Sequence, residues 1–268
     1  MDLEMPFDQY VDMTTISESI KYVVDIGAQD GPGPVFSLMT KHGYRGLCIE
    51  GNPITYTHLC DKMPEPHVAK HCEFVTPHNI CSIFQKHNIP TELFALKIDI
   101  DGYDYEVLDT LLSSYKPLFV VAEINEKIPP PIYFQTLYNP TYVWGTNHFF
   151  GFSLQAAYKL MEKHGYTIIR IVGGNNIMCI RKDVAPHILQ VDALEMYKRD
   201  YLHNLPVLWT FPWNRDIHHW TQLCDDATKI DETVNDIIDY FTSKRIQREE
   251  NVGQPVSRDS FTIYVANS

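Results

Sequence analysis

The chain has 268 residues, of which 44% are apolar, 12% aromatic and 21% charged, a balance typical of a globular protein with one large domain or two small ones. Its 34 acidic and 22 basic side chains give a formal charge of −12, which disfavours nucleic acid as a partner because a phosphate backbone is bound mainly through Lys and Arg. No apolar run reaches the roughly 18 residues of a membrane helix, so we expect no membrane span.

The start of the chain and the cysteines indicate the compartment. Residues 1–10 are acidic and lack the basic and apolar parts of a signal peptide. The six cysteines form no C-x-x-C pair and no zinc-like spacing with histidine, which suits reduced, buried thiols. We therefore expect a cytoplasmic protein. The sequence leaves the oligomeric state open, and a homo-oligomer is compatible with it.

In chain order, short apolar runs alternate with helical patterns from Tyr22 to about Asp183, as in βαβ units around a mostly parallel sheet. The pattern predicts a lead-in helix or loop over 1–20, an α/β domain over 21–183 and a mainly helical extension over 184–268. The first elements predicted in the domain are strands at 22–26, 46–50, 69–75, 93–100 and 118–122, and helices at 55–62, 80–86 and 105–112.

The domain is predicted to end with a helix and a hairpin. The helix covers 153–164, starts at a serine N-cap and has its apolar residues on one face. The runs 167–172 and 177–180 flank a turn rich in glycine and asparagine, which predicts an antiparallel hairpin that closes the sheet. In the extension, apolar residues over 230–241 recur with helical spacing, and 261–265 alternates like a short strand.

Glycines follow the first predicted strand, in the segment Val24-Asp25-Ile26-Gly27-Ala28-Gln29-Asp30-Gly31. They allow the backbone to approach a ligand closely, and the helix that follows offers free N–H groups. The spacing departs from the dinucleotide fingerprint G-x-G-x-x-G, because Gln29 stands where that fingerprint has glycine. The pattern D-x-G-x-x-x-G is similar to motif I of class I S-adenosylmethionine-dependent methyltransferases, with a plain strand-to-helix turn as the alternative.

Two further residues follow predicted strands and suit a nucleoside. Glu50 ends the second strand, where a carboxylate can accept hydrogen bonds from both ribose hydroxyls of a ligand that lies across the strand ends. Asn79, in Thr76-Pro77-His78-Asn79-Ile80 after the third strand, is a candidate adenine contact, with helix capping as the alternative.

Acidic residues crowd the end of the fourth predicted strand, where four stand within 99–106. Because like charges repel, such crowding indicates a cation, a cationic ligand or shifted pKa values, and we expect Asp99 and Asp101 to be catalytic. The next strand runs into Glu123 and Asn125, and neighbouring parallel strands end at the same crevice. Asp99, Glu123 and Asn125 thus form a candidate Mg²⁺ or Mn²⁺ site, unless the last two only bind loops or substrate hydroxyls.

These residues together resemble an FkbM-type methyltransferase over about Tyr22 to Asp183. The family pattern D-x-G-A, glycine, serine and E-x-N-P is matched by Asp25-Ile26-Gly27-Ala28, Gly31, Ser37 and Glu50-Gly51-Asn52-Pro53, and its later acidic run is matched by 96–104. The resemblance implies a Rossmann-like class I methyltransferase fold with a mostly parallel seven-stranded sheet and an antiparallel terminal hairpin. It also implies S-adenosylmethionine as the cofactor.

The resemblance further implies roles for single residues and a class of substrate. The predicted cofactor-binding residues are Asp25, Gly27, Ala28, Asp30, Gly31, Ser37, Glu50, Gly51, Asn52, Asn79, Ile80 and Asp99. The family is often associated with O-methylation of sugars and natural products, so the expected acceptor is a hydroxyl of a sugar, a glycan or a glycosylated small molecule. A non-catalytic subunit that binds S-adenosylmethionine and an NAD-dependent oxidoreductase are the alternative functions.

A hydroxyl acceptor needs a general base to take its proton or a cation to lower its pKa. His148 is the candidate base, because the loop before the substrate-side helix commonly overhangs the cofactor and imidazole titrates near neutrality. A histidine packed among aromatics is the alternative. The nearby Tyr133, Tyr138, Tyr142 and Trp144 can stack on sugar rings, or they can form a lid over the core.

Overall fold

The computed structural model describes residues 6–31, 33–142, 148–202, 212–214, 227–243, 246–248, 251–253 and 255–266. Its central element is a seven-stranded sheet. Up to the fourth strand the elements are β1 Tyr22–Ile26, α1 Phe36–Thr40, β2 Arg45–Glu50, α2 Pro53–Lys62, β3 Val68–Cys72, α3 Ile80–Lys86 and β4 Glu92–Ile98. The later elements are α4 Asp104–Leu112, β5 Lys116–Glu123, β6 Ile132–Thr136, α5 Leu154–Lys163, β7 Tyr166–Val172, β8 Asn176–Arg181, α6 Ala193–Asp200, α7 Ala227–Ser243, β9 Ile246–Arg248, β10 Asn251–Gly253 and β11 Phe261–Val265.

The strand order of the sheet is β3-β2-β1-β4-β5-β8-β7. Strands β1 to β5 run parallel, and β8 is antiparallel to both of its neighbours, β5 and β7. The expected fold class, a Rossmann-like mostly parallel sheet that ends in an antiparallel hairpin, is confirmed. Because the chain leaves β1 towards β2 on one side and β4 lies on the other, the carboxyl ends of β1 and β4 form the switch point where such sheets bind ligands.

The central strands are apolar because both of their faces are covered. Every residue of β1 is buried, and in β4 and β5 all residues after the first are. Alternate residues of these strands belong to two apolar clusters on opposite faces of the sheet. In β1, Val24 packs into one cluster and its neighbour Val23 into the other. The strand ends are therefore held rigidly in position.

The residues that follow the hairpin pack on the same body. Helix α7 carries the apolar stripe predicted at 230–241, and its Ile237 and Phe241 are buried against Phe134 of β6 and Phe261 of β11. Strands β6 and β11 pair antiparallel, with Phe261 opposite Thr136. The short strand expected at 261–265 is confirmed, whereas β6 was not predicted because its partner lies far away in the sequence.

Two predicted strands end earlier than expected, and one predicted helix begins as expected. The strand predicted at 69–75 ends at Cys72, and the strand predicted at 93–100 ends at Ile98, because the residues beyond turn away to form loops. The helix predicted from Ser153 is confirmed: the Ser153 hydroxyl accepts a hydrogen bond from the Ala156 amide (3.3 Å).

Two expectations concern the environment of the chain. Five cysteines within the described ranges are free thiols, and of these Cys48 and Cys179 are buried while Cys72 is exposed. Among the helices of those ranges, none combines the length and apolar character that a bilayer crossing requires.

Candidate functional site

A cavity of about 620 Å³ opens at the carboxyl ends of β1 to β4. Its size is ordinary for a small-molecule site, and it lies beside the switch point of the sheet. The lining residues come from the end of β2, from the loops after the four strands, and from an aromatic wall that contains Tyr138 and Tyr142. The full lining is Gly27, Ile49, Gly51, Asn52, Glu73, Phe74, Val75, Thr76, Ile100, Asp101, Tyr103, Tyr138, Pro140 and Tyr142.

Gly27 begins the loop after β1. Its φ is +74°, and a Cβ at this position would lie 1.7 Å from the Asp99 carbonyl oxygen, so both the backbone angle and the available space require glycine. The amides of Gly27 and Ala28 both donate to the Ile49 carbonyl (2.9 and 3.0 Å). The first glycine predicted from sequence therefore joins the ends of three neighbouring strands.

Glu50 ties the loops after β1 and β2 together. Its Oε2 accepts a hydrogen bond from the Gln29 amide (2.9 Å), and its Oε1 accepts one from the Asn52 amide (2.7 Å). Gln29 holds a positive φ of 50°, an angle that costs energy outside glycine and is frequent at functional sites. Asn52 in turn caps α2 by accepting from the Ile54 amide (2.9 Å).

A buried lysine lies beneath these loops. The Lys97 amine donates to the Gly27 carbonyl (2.8 Å) and lies 3.2 Å from Asp25 Oδ1 and 3.7 Å from Asp99 Oδ2. Burial alone would lower the pKa of Lys97, but the two carboxylates raise it above its ordinary value. Burial raises the pKa of Asp25, and Lys97 opposes that shift. Sequence reasoning missed this role of Lys97, although a lysine inside an apolar strand was a usable signal.

Three carboxylates meet at the ends of β4 and β5. Oxygens of Asp99, Asp101 and Glu123 lie within 4.8 Å of one another, and Glu123 is buried. Burial, followed by the charge of Asp99, raises the pKa of both Asp101 and Glu123. The crowding predicted from sequence thus produces carboxyl groups that hold protons more tightly than usual, and a positive charge among them would displace those protons.

Asp104 organises the loop after β4. Its Oδ1 accepts from the Ile100 amide (2.8 Å), and its Oδ2 accepts from the Gly102 amide (2.9 Å). Burial raises the pKa of Asp104 to about 7, although these amide bonds act in the opposite direction. The Tyr142 hydroxyl donates to the Asp101 carbonyl (3.0 Å), which attaches the aromatic wall to the same loop. Asp104 is fully buried, although it is the first residue of α4, a position where acidic side chains are commonly solvated.

Asn125 follows Glu123 of the acidic cluster by two residues and contacts the backbone of His148. Asn125 Nδ2 donates to the carbonyl oxygens of His148 (2.9 Å) and Phe150 (3.2 Å). Within the described residues, its buried Oδ1 accepts no hydrogen bond. His148 has a positive φ of 56°. The predicted aromatic residue Trp144 lies outside the described residues.

The loop after β3 was predicted to contact adenine through Asn79. Asn79 Oδ1 accepts from the Thr76 amide (2.7 Å), and its Nδ2 donates to Glu73 Oε1 (2.9 Å) and to the Phe74 carbonyl (3.0 Å). Its polar atoms therefore shape the loop that lines the cavity. The ring of Phe74, 70% exposed, lies over Gly51, where a Cβ would come within 2.4 Å of it. Sequence reasoning missed Phe74, which fell inside the strand predicted at 69–75.

The other predicted site residues are placed as follows. Among all the residues predicted to bind the cofactor or a metal ion or to act in catalysis, those that line the cavity are Gly27, Gly51, Asn52 and Asp101. Asp30 forms an ion pair with Lys62 of α2, and Ser37 lies on α1. Ile80 is fully buried in the core, and Gly31 has a positive φ of 123°.

The predicted aromatic surface is divided between the cavity and the core. Tyr138 and Tyr142 line the cavity. Tyr133 is buried and stacks on Tyr264 with ring centroids 4.5 Å apart. The structure thus places only the first two where a ligand in this cavity could touch them.

Comparisons with known proteins give low similarity. No known protein family and no curated protein matches the chain. Among solved structures it is similar to a TehB-like SAM-dependent methyltransferase from Corynebacterium glutamicum, with 12% identity over 65% of this chain and 86% of that one and a TM-score of 0.38. It is also similar to the N-terminal domain of EvdMO1 with SAH bound, with 9% identity over 61% of this chain and 76% of that one and a TM-score of 0.37. A third similar structure is the mitomycin 7-O-methyltransferase MmcR, with 15% identity over 65% of this chain and 56% of that one and a TM-score of 0.35.

Proposed function

We propose that this chain is an S-adenosylmethionine-dependent O-methyltransferase of the FkbM type, and that it methylates a hydroxyl group of a sugar, a glycan or a glycosylated small molecule. The observation that supports the cofactor site most directly is the junction of strand ends beside the cavity. Gly27 abuts the Asp99 carbonyl there, and Glu50 bridges the loops after β1 and β2. Nucleotide-like ligands bind at this position in open α/β sheets.

The cofactor supplies an activated methyl group when it is bound, and the residues around the cavity suit its parts. We assign the ribose to Glu50, because each of its oxygens keeps a lone pair after accepting one amide. We assign a stacking contact to Phe74, whose exposed ring lies over Gly51 and lines the cavity. The carboxylates around Asp99 favour the positively charged end, since an opposite charge relieves their repulsion.

The acceptor must be oriented and deprotonated by the chain, since a hydroxyl group is a weak nucleophile near neutral pH. His148 remains the candidate base, and the bond from Asn125 to its carbonyl ties its backbone to the end of β5. Tyr138 and Tyr142 offer ring faces for a sugar.

A divalent cation at the acidic cluster is the second way to activate the acceptor. The carboxylates of Asp99, Asp101 and Glu123 supply the oxygen ligands that Mg²⁺ and Mn²⁺ prefer, close enough together to share one ion. Asp101 thus joins the Asp99, Glu123 and Asn125 set proposed from sequence. Such an ion would lower the pKa of a bound hydroxyl.

Calorimetry with S-adenosylhomocysteine tests the cofactor site. We expect the wild-type chain to bind it and Glu50→Ala to bind at least about tenfold more weakly, because a half-buried carboxylate that accepts two loop amides is lost. The matched control is Glu162→Ala, an exposed acid near the end of α5, which should bind as the wild type does. Unchanged affinity in Glu50→Ala would remove the assignment of this pocket.

Methyl transfer is tested in an experiment separate from cofactor binding. Incubation with methyl-labelled S-adenosylmethionine and a mixture of glycans should place label on a hydroxyl group. A chain that binds S-adenosylhomocysteine but transfers no label to any acceptor would instead support the non-catalytic subunit.

A further inference from the structure

A chain of hydrogen bonds runs from the wall of the cavity into the protein behind β3. Glu73 lines the cavity, and its Oε2 lies 3.0 Å from Nε2 of His71. The other ring nitrogen of His71, Nδ1, lies 3.1 Å from Nε2 of His87, directly after α3. His71 is buried, His87 is half-buried and Glu73 is exposed. A carboxylate of the cavity wall is thereby linked to two titratable rings that the proposed reaction does not use.

These contacts restrict where protons can reside. The Glu73 carboxylate can only accept, so Nε2 of His71 carries a hydrogen; with both rings neutral, Nδ1 of His71 accepts from Nε2–H of His87. One added proton is compatible with this arrangement, since either ring can take it while the other keeps an acceptor. Two added protons are not, because Nδ1 of His71 and Nε2 of His87 would then both carry hydrogens pointing at each other.

The position of Glu73 depends on this pair. Its Oε2 is bound by His71, and its Oε1 accepts from Asn79 Nδ2 (2.9 Å). The hydrogen bond from His71 is the main cause that lowers the pKa of Glu73, so the carboxylate stays ionised. Among the residues that the structure describes, the other charged group that acts on Glu73 and His87 is Lys86 of α3, and on β2 the uncharged Ile49 lies opposite His71.

We propose that His71, backed by His87, is the positioning residue for Glu73, and that the ligand affinity of the cavity falls when both rings become protonated. The inference rests on the proposed function, since it takes the cavity as the cofactor site. In the doubly protonated state the two rings repel and separate, the donor of His71 is displaced from its position beside Glu73, and Asn79 alone then holds Glu73 and the adjoining loop that carries Phe74.

The test is the affinity for S-adenosylhomocysteine, measured by calorimetry between about pH 5 and pH 8, where histidine titrates. The wild type should bind less tightly at the acidic end. His87→Phe keeps the ring-to-ring contact, whose centroids are 5.0 Å apart, but removes the conflict between two protonated rings, so its acidic loss of affinity should disappear. Asp101, Asp104 and Glu123 contribute equally to the pH dependence of the wild type and of His87→Phe. The difference between the two pH profiles of affinity is therefore due to the histidine pair.

Two variants of His71 separate positioning from packing. His71→Phe removes the donor and should bind about three- to tenfold more weakly at neutral pH, as expected for one hydrogen bond. His71→Gln retains an amide donor and should restore near wild-type affinity with a flat pH profile. The control His42→Phe changes an exposed histidine after α1 and should keep the wild-type profile.

The outcomes distinguish this inference from the proposed function. A wild-type chain that does not bind S-adenosylhomocysteine refutes the proposed function and the inference with it. A wild-type chain that binds, with an acidic loss that His87→Phe leaves unchanged, refutes the histidine pair alone. Wild-type affinity in a folded His71→Phe would also refute it, and if that variant does not fold, a wild-type acidic loss in His71→Gln does so.

Discussion

The α-carbon of Gly27 lies against the backbone carbonyl of Asp99, so that a Cβ at position 27 would lie 1.7 Å from that oxygen. The contact joins the loop after β1 to the end of β4, the two strands that flank the switch point of the sheet. The Asp99 amide also donates to the Ile26 carbonyl (3.0 Å), which holds the two segments together from the other direction. The shape of the cavity therefore depends on glycine at this position.

Gly27→Ala is expected to destabilise the fold more than Gly43→Ala. Both glycines have a positive φ, +74° and +68°, but no atom lies within 4 Å of a Cβ at position 43. Gly43→Ala should therefore lower the free energy of unfolding by about 1 kcal/mol, the cost of the backbone angle alone. Gly27→Ala should lower it by about 1 to 3 kcal/mol more, because the Asp99 carbonyl must move. Urea denaturation of both variants gives the two free energies of unfolding. Equal losses would contradict the steric requirement.

Lys97→Met is expected to destabilise the fold by about 3 to 5 kcal/mol, because it leaves the buried Asp25 without its positive partner. The double variant Lys97→Met with Asp25→Asn should lose less than the sum of the single variants, since the unpaired charge is then gone. A double-mutant cycle by denaturation measures the coupling. Simple additivity would mean that the 3.2 Å contact carries no net interaction.

The hydrophobic pattern predicted the sheet well because buried parallel strands such as β4 and β5 are apolar along most of their length, and the glycine and acidic motifs lie at strand ends. The roles of Lys97 and Asp104 were missed because they depend on burial, which arises only when neighbouring strand ends come together. Strand β6 was missed for a similar reason: its partner β11 is remote in the sequence, and pairing of that kind leaves no local pattern.

Part of the candidate site could not be read from residue type. Asn79 was predicted from its position, yet its amide atoms are used by the loop after β3, and the exposed ring of Phe74 in that loop faces the cavity. An aromatic residue near the end of a predicted strand has the same pattern whether it is buried or exposed. Only the turn after Cys72 decides that Phe74 is exposed.

The stability of the fold should depend on pH through Asp104. Burial raises the folded-state pKa of Asp104 from 3.8 to about 7, so between these values the folded chain binds more protons than the unfolded chain. Its contribution to stability is therefore complete at acidic pH and is lost as pH rises towards about 7. Asp104→Asn removes this titration while keeping an oxygen that can accept one loop amide. Urea denaturation across this range should show the wild type losing its advantage over the variant as pH rises, and a constant difference would contradict the shift.

Binding of a divalent cation at the acidic cluster should release a proton from Glu123. Burial and the charge of Asp99 raise the pKa of Glu123, so its proton must leave when a cation takes its place. Calorimetry with Mg²⁺ or Mn²⁺ in buffers of different ionisation enthalpy should give different apparent enthalpies. Glu123→Gln should bind more weakly and lose that buffer dependence, whereas Glu162→Gln should keep both. Enthalpies that are the same in all buffers for a wild type that binds the ion would place the ion elsewhere.

His148→Ala should lower turnover by about 10² to 10⁴ if the imidazole removes the acceptor proton. Its affinity for S-adenosylhomocysteine should change little, since the cavity lining does not include His148. His148→Gln is the matched variant, because it retains a hydrogen-bonding group of similar reach but cannot titrate. The acidic limb of the turnover profile should be present in the wild type and absent from both variants. Turnover within a few-fold of the wild type, together with its loss on treatment with EDTA, would transfer proton removal from His148 to a cation bound by Asp99, Asp101 and Glu123.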